Sequence, residues 1–471
     1  MGSPNSPLTE EIKKRASQSK AMVSRYSRRS LISESKVWLL ALFCGLLVGL
    51  VMAGLRAAIV GIEFIGFGAQ DERITSAVTQ LHPLRALLIP VIGGFVVSAL
   101  LYIGLKLGIR GDPRIGGIRD VIEARRHVLD RRGRTTPLVS LHMSLKDGLQ
   151  TFLIAVASLG SGASAGREGP AVHVGAVLSG FFAHRFNLTP AQIRALLGCG
   201  AAAAVASSFN APLAGLLFAH EVVLGRYRTS DIGPIAVASV SGSLVTRLIF
   251  GNNAVFAPPV FDDPPVIFFI GTPFIGLIAA GLAIVMIRAW VAAPHIGSRF
   301  ADKIKIPHWM LPPIAGLIIG VFALAYPQVL SVGYEATATA IATGYSAAFM
   351  LILAVAKIAA TTICIGARFG GGVFSSSIFV GAMVGGVFGA IMAALTGHGE
   401  MAQSFFTLVG MGAISGAVLG APISTTLIVF ELTGSYETSA AVLIAVSMAT
   451  VIVQATVGGG VFEKQIRADR F

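Results

Sequence analysis

The densest potential for chemistry lies in Gly166-Arg167-Glu168-Gly169-Pro170, set between two long apolar stretches. Pro170 suits the first turn of a helix, where its fixed φ fits and its missing N–H is not needed, and the glycines before it let the backbone bend tightly. A helix that begins here turns its free N–H groups and positive dipole end toward whatever precedes it, which makes an anion-binding position. Glu168 sits in that position. A carboxylate inside an apolar block is costly and by default functional; ionised, it is itself the resident anion until a proton removes its charge. The alternative is an Arg167–Glu168 pair that only stabilises the loop. A second segment, Gly370-Gly371-Gly372-Val373-Phe374-Ser375-Ser376, has the same logic without a charge. Its first amides, around Val373 and Phe374, can hold an anion through the backbone alone. Ile115-Gly116-Gly117-Ile118, after Asp112-Pro113, is a third helix start. Close helix packing explains any one glycine cluster equally well, as at Gly45-x3-Gly49.

The scaffold that positions these segments is restricted by composition. Of 471 residues 54% are hydrophobic, only 13% are charged, 55 are glycine, and the mean hydropathy is +0.77. A soluble domain carries roughly 25% charge and about 7% glycine, so a soluble fold is excluded. The three cysteines (Cys44, Cys199, Cys364) are odd in number and lie inside apolar runs, which excludes a disulfide scaffold and reads as small packed hydrophobes. The net charge of +13 comes from 36 basic and 23 acidic residues. Basic residues crowd the N-terminal tail (Lys13, Lys14, Arg15, Lys20, Arg25, Arg28, Arg29, Lys36) and the stretch Arg110 to Arg134. Both flank apolar segments, as the positive-inside rule requires of a cytoplasmic face. No aromatic interleaving or recognition motif accompanies them, so nucleic acid is not an expected partner.

Residues 1–36 read as a disordered basic cytoplasmic tail. Val37 to Gly68 is longer than a signal-peptide core of about 7–15 residues and is a retained span. Apolar blocks follow at 84–108, 137–160, 170–185, 191–208, 211–224 and 232–250. Beyond a Pro- and Asp-rich stretch, Asn252 to Pro265, they resume at 266–292, 309–326, 346–366, 373–395, 405–419, 422–433 and 438–458. Several blocks are shorter than the roughly 20 residues of a full span and are bounded by Gly or Pro. They are expected to be broken or re-entrant helices, the sequence feature that best marks a transport site.

The two halves resemble each other. Laid over Gly366–Ala382, Gly160–Ala176 matches at Gly160/Gly366, Gly166/Gly372, Gly175/Gly381 and Ala176/Ala382. Gly198-x-Gly200 is matched with Gly410-x-Gly412, and Ala211-Pro212 followed by Glu221 with Ala421-Pro422 followed by Glu431. The paired Ala-Pro-x8-Glu spacing weighs against chance similarity between Gly/Ala-rich helices. The reading is an all-α polytopic membrane protein with a first repeat at 37–251, a linker at 252–265 and a second repeat at 266–471.

With these motifs the sequence resembles the CLC family of chloride channels and chloride/proton antiporters. Residues 166–170 match the family's G-K/R-E-G-P; residues 372–376 resemble G-x-F-x-P with Ser376 in place of Pro; Ile115–Arg119 resembles G-S-G-I-P in degraded form. The likeness runs from about residue 37 to the end. It implies two inverted-topology repeats with broken and re-entrant helices, a homodimer in the cell (inner) membrane, and one anion pathway per subunit. Glu168 is then the outer gate, and conduction rises with acidity. The anion-binding positions carried over are Gly116, Gly117, Ile118, Arg167, Gly169, Val373, Phe374, Ser375 and Phe462. The partners implied are chloride and similar anions, protons and the lipid bilayer, with no cofactor and no metal.

The departures matter more than the matches. Gly116 stands where the family usually places a serine hydroxyl at the central anion, and Phe462 where it usually has a tyrosine hydroxyl. Both side-chain donors to that anion are missing. The internal glutamate that many antiporters use to pass protons aligns with Val222, after Glu221. Chloride conduction that is channel-like or weakly proton-coupled is therefore expected, with a coupled chloride/proton antiporter as the alternative. A fluoride-selective branch usually has methionine for the central serine and varies the GREGP proline; Gly116 and Pro170 fit neither change. Only thirteen residues follow Gly458, so nucleotide-binding CBS regulatory domains are not expected.

Other classes fit less well. Gly162-Ala163-Ser164-Ala165-Gly166 matches the nucleophile-elbow pattern, with His173 beyond it, but that motif needs a strand before the turn and none is read there. His173 and His220 lie in apolar helices and read as hydrogen-bonded interior histidines, and metal-ligand spacing is absent. A cation transporter would need two or more carboxylates along one path. Besides Glu168 only Glu221 and Glu431 are mid-block, and their matched positions suit a structural helix-end role.

Overall fold

The computed structural model describes residues 7–109, 116–128, 142–251, 256 and 264–468, with side chains from Glu34 onward. Ile115, most arginines of the basic stretch and most of the inter-repeat linker lie outside the described residues. The first half contains α1 (Pro7–Phe67), α2 (Ile74–Thr79), α3 (Pro83–Lys106), α4 (Ile118–Arg126), α5 (Leu145–Gly160), α6 (Glu168–Arg185), α7 (Pro190–Phe209), α8 (Pro212–Phe218) and α9 (Thr229–Phe250). A π-helical turn, Ala219–Leu224, continues α8. The second half contains α10 (Val266–Ile304), α11 (Leu311–Ala325), α12 (Tyr334–Ile341), α13 (Ala347–Gly366), α14 (Phe374–Thr396), α15 (Gly399–Leu419), α16 (Pro422–Thr433), α17 (Tyr436–Val457) and α18 (Val461–Ala468). The expected disordered tail needs correction: it enters α1 at Pro7.

Among the described residues, ten helical stretches are long and apolar enough to cross a bilayer. Large apolar side chains on their outer faces are exposed, such as Ile92 and Phe95 on α3 and Ile270 and Phe274 on α10, as a lipid-facing surface requires. The helices α4, α8, α12 and α16 are too short to span, in keeping with the expected interruptions.

The halves repeat each other's packing. α6 lies on α7 as α14 lies on α15; α1 packs on α9 and α7 as α10 packs on α17 and α15. Small residues permit these approaches. A Cβ on Gly175 would stand 2.4 Å from the Gly200 carbonyl oxygen, and one on Gly381 would stand 2.5 Å from that of Gly410. Gly200 is thus the counterpart of Gly410, which shifts the sequence matching of Gly198-x-Gly200 with Gly410-x-Gly412 by two residues. The chain stops α7 at Asn210 and α15 at Gly420, both in the left-handed conformation, and restarts at Pro212 and Pro422 in the first helical turn.

Contacts between the halves are reciprocal. Glu221 accepts from the amides of Ile423 (3.0 Å) and Ser424 (2.8 Å) at the start of α16. Glu431 accepts from the amides of Leu213 (2.9 Å) and Ala214 (2.8 Å) at the start of α8. Each carboxylate caps the other repeat's interrupted helix, where four amides have no intrahelical partner. This is the structural helix-end role expected of the pair. Self-complementary exchange of this kind is the signature of a two-fold relation.

Candidate functional site

The two-fold relation also brings together the motifs that open α6 and α14. Gly166 and Gly372 exchange backbone hydrogen bonds of 2.7 and 2.6 Å, the one isolated bridge among the described residues. Both helices therefore start at the same depth in the interior. Glycine is required: a Cβ on Gly166 would lie 2.6 Å from Glu168 Oε2 and 2.9 Å from the Ser375 amide nitrogen.

Glu168 is the first residue of α6 and is wholly buried. Its Oε1 accepts from the hydroxyls of Ser375 (2.5 Å) and Tyr334 (3.0 Å). No ion pair neutralises it among the described residues, and the expected alternative of an Arg167–Glu168 pair is not what forms. Arg167 instead donates to Glu72 Oε1 (2.8 Å) and the Ser208 carbonyl (3.1 Å), with its guanidinium 5.1 Å above the Tyr334 ring. Glu72 also accepts from Arg56 Nε at 2.8 Å. Burial works against the charge on Glu72, but the two guanidiniums outweigh it and hold the carboxyl below the usual range.

Beside the starts of α6 and α14 lies a cavity of about 280 Å³. Gly169, Gly372 and Val373 line it together with Gly116, Gly117, Ile118 and Phe462, and its ionisable lining residues are Arg119, Asp120, His295 and Arg368. The helices α4 and α18, which help to line it, carry Arg119, Arg125, Arg126, Lys464 and Arg467, and the positive-inside rule puts such basic helices on the cytoplasmic side. The structure thus gathers Gly116, Gly117, Ile118, Gly169, Val373 and Phe462 around one space. Glu168, Arg167, Phe374, Ser375 and Val222 do not line it, although Gly169, next to Glu168, does. Arg167 is committed to Glu72, and Ser375 to Glu168. Phe374 packs against Phe209 and Phe218 at ring separations of 5.1 and 6.0 Å. Val222 sits half-buried on the π-helical turn.

The third helix start forms where expected, with Gly117 preceding α4 at Ile118, but its amides are already partnered. The Gly116 amide donates to Thr151 Oγ1 (3.1 Å) and the Gly117 amide to Asp120 Oδ2 (3.1 Å). A carboxylate of its own helix already answers the start of α4, so these two amides are not free for an anion. The space in which a serine at 116 would project is filled by His173, whose Cε1 would stand 2.3 Å from a Cβ there. The His173 imidazole also meets the His142 carbonyl at 3.1 Å, the interior role expected of it. Sequence reasoning missed Tyr334, Glu72, Thr151 and Asp120. Among the described residues no cluster of three or more His, Cys, Asp or Glu side chains could hold a metal ion.

Comparison with known proteins bears on the family and the fold. Residues 94–454 match the family model "Voltage gated chloride channel". The voltage-gated ClC-type chloride channel ClcB of Escherichia coli O81 is 30% identical over 421 residues, covering 88% of this chain and 94% of that one. The fold is similar to the crystal structure of a slow cyanobacterial Cl-/H+ antiporter, with a TM-score of 0.78 at 21% identity over 92% of this chain and 97% of that one. It is also similar to a CLC-type fluoride/proton antiporter, with a TM-score of 0.71 at 19% identity over 92% and 98% of the two chains. The chain is therefore an integral multi-pass membrane protein of transport type rather than an enzyme, and it belongs to the CLC family of voltage-gated chloride channels.

Proposed function

We propose that the protein passes chloride and similar anions along a path that runs through the 280 Å³ cavity to the paired starts of α6 and α14, with Glu168 as its gate. The observation that carries this reading is one buried carboxylate, with no counter-ion among the described residues, on the residue next to Gly169, which lines the cavity together with Gly372 and Val373 of the paired helix start. Ionised, Glu168 fills the place an anion would take, and like charges exclude each other there. Protonated, it has no charge to hold it against the helix starts, and an anion replaces it. Flux accordingly rises with acidity. The family resemblance adds that two such subunits pair.

Coupling to protons is weak or absent on this reading. Val222 cannot carry a proton, and its neighbour Glu221 is spent on the amides of Ile423 and Ser424 and on the Ser424 hydroxyl (2.8 Å). The coupled alternative draws support from the antiporters among the fold neighbours. Purified protein in liposomes, with chloride and pH followed together, separates the two. A chloride gradient is expected to drive anion flux with no stoichiometric uphill proton movement; such movement would refute the uncoupled reading. Uptake driven by a potassium gradient instead of a chloride gradient would refute anion transport itself.

A further inference from the structure

We infer that the hydroxyls of Tyr334 and Ser375 are the side-chain donors of this protein's outer anion position, holding the Glu168 carboxylate when the gate is closed and the permeating anion when it is open. The inference rests on Glu168 being the gate.

The inner cavity has lost hydroxyl donors: Gly116 and Phe462 carry none, and the Ser298 hydroxyl there accepts from Arg368 at 3.0 Å. The outer position has them instead. Tyr334 and Ser375 come from different helices, α12 and α14, and both are buried. Both donate to one oxygen of Glu168, and the two hydroxyls are 3.5 Å apart. Two O–H groups converging on one oxygen offer a halide the same donors once the carboxylate has left.

The placement of Tyr334 is fixed from several sides. It follows Gly333, at φ +83°, where a Cβ would strike the Phe379 ring at 2.7 Å. Lys357 of α13, fully buried, donates to the carbonyls of Val329 (3.0 Å) and Ser331 (2.8 Å) in the preceding loop. Glu63 of α1 accepts from the Ser331 hydroxyl at 2.7 Å. Burying two ionisable groups at membrane depth is costly, and both act on the loop that delivers Tyr334. Arg167 covers one face of its ring, and Phe256 meets it edge-on at 5.4 Å. The ionisable groups around Glu168 are Arg167 of its own helix, Tyr334 of α12, Glu72 and Glu63 behind Arg167, and Lys357 of α13; α14 presents Ser375.

The test uses liposomes holding the full chain, with chloride flux measured against pH for Tyr334→Phe and Ser375→Ala, each alone and combined with Glu168→Gln. With the gate intact, each substitution removes one hydrogen bond to the ionised carboxylate. It is therefore expected to move the pH of half-maximal flux upward by about one unit, a tenfold change in gate occupancy. Ser375→Thr, which keeps the hydroxyl, restores the wild-type midpoint. In the Glu168→Gln background each substitution raises the chloride concentration for half-maximal flux severalfold. If Glu168→Gln abolishes the pH dependence while Tyr334→Phe and Ser375→Ala leave the midpoint in place or lower it, the hydroxyl assignment is wrong and the gate stands. If Glu168→Gln remains pH-dependent, the gate reading fails and this inference with it.

Discussion

Replacing Glu431 by Ala removes two hydrogen bonds from a carboxylate to the backbone, at 2.9 and 2.8 Å, and leaves the start of α8 without a cap. A hydrogen bond to a charged group contributes about 1.5–3 kcal/mol when buried. Glu431 is half-buried, so solvent screening and replacement water reduce the whole cap to about 1–3 kcal/mol. Glu221→Ala has the same effect on α16, with the Ser424 hydroxyl lost as a third donor. At about 2–4 °C per kcal/mol for domains of 150–250 residues, and less for a longer chain, each variant is expected to unfold a few degrees below wild type. Cys44, Cys199 and Cys364 are free and buried, so a thiol-reactive dye in detergent reports unfolding directly. The two caps join the same pair of helices, so the double variant should lose less than the sum of the singles. Glu→Gln keeps an acceptor and should fall between. Unfolding temperatures equal to wild type in both alanine variants would refute the reciprocal caps, and a Glu221 variant with altered proton coupling but unchanged stability would make that residue a proton carrier.

The Arg56–Glu72–Arg167 cluster makes stability pH-dependent: the folded-state carboxyl of Glu72 is held low, so its contribution is complete above the ordinary value of 4.5 and is lost as pH falls below it. Thermal unfolding should show a drop below about pH 4.5 that Glu72→Gln, already less stable at neutral pH, does not share; parallel pH profiles would contradict this. Phe462→Tyr returns a hydroxyl to the cavity wall and should lower the chloride concentration for half-maximal flux severalfold, measured in liposomes. An unchanged concentration dependence would place Phe462 off the path.

Much of the fold was legible because low charge, abundant glycine and short apolar blocks all constrain a membrane chain in the same direction. The Ala-Pro-x8-Glu repeat carried both the duplication and the helix-end role of Glu221 and Glu431. Finer register was not: Gly198 and Gly200 look alike in sequence, and only the crossing of Gly200 with Gly175 decides between them. Glu168 stood out because a carboxylate amid apolar residues is too costly to bury without a use. Its partner Tyr334 did not, since a lone tyrosine opening an eight-residue helix carries no spacing signal and meets Glu168 only through tertiary packing. The start of α4 misled for a related reason. A glycine pair looks equally open whether or not Thr151 and Asp120 have taken its amides.

The central claim is that one buried carboxylate closes the anion path, and the most direct measurement is chloride flux from liposomes between about pH 4 and 8 for wild type and Glu168→Gln. Wild-type flux should rise as pH falls, and the variant should conduct at or above the acidic wild-type level across the whole range. A variant that keeps the wild-type pH profile would contradict the account and move the gate to another residue.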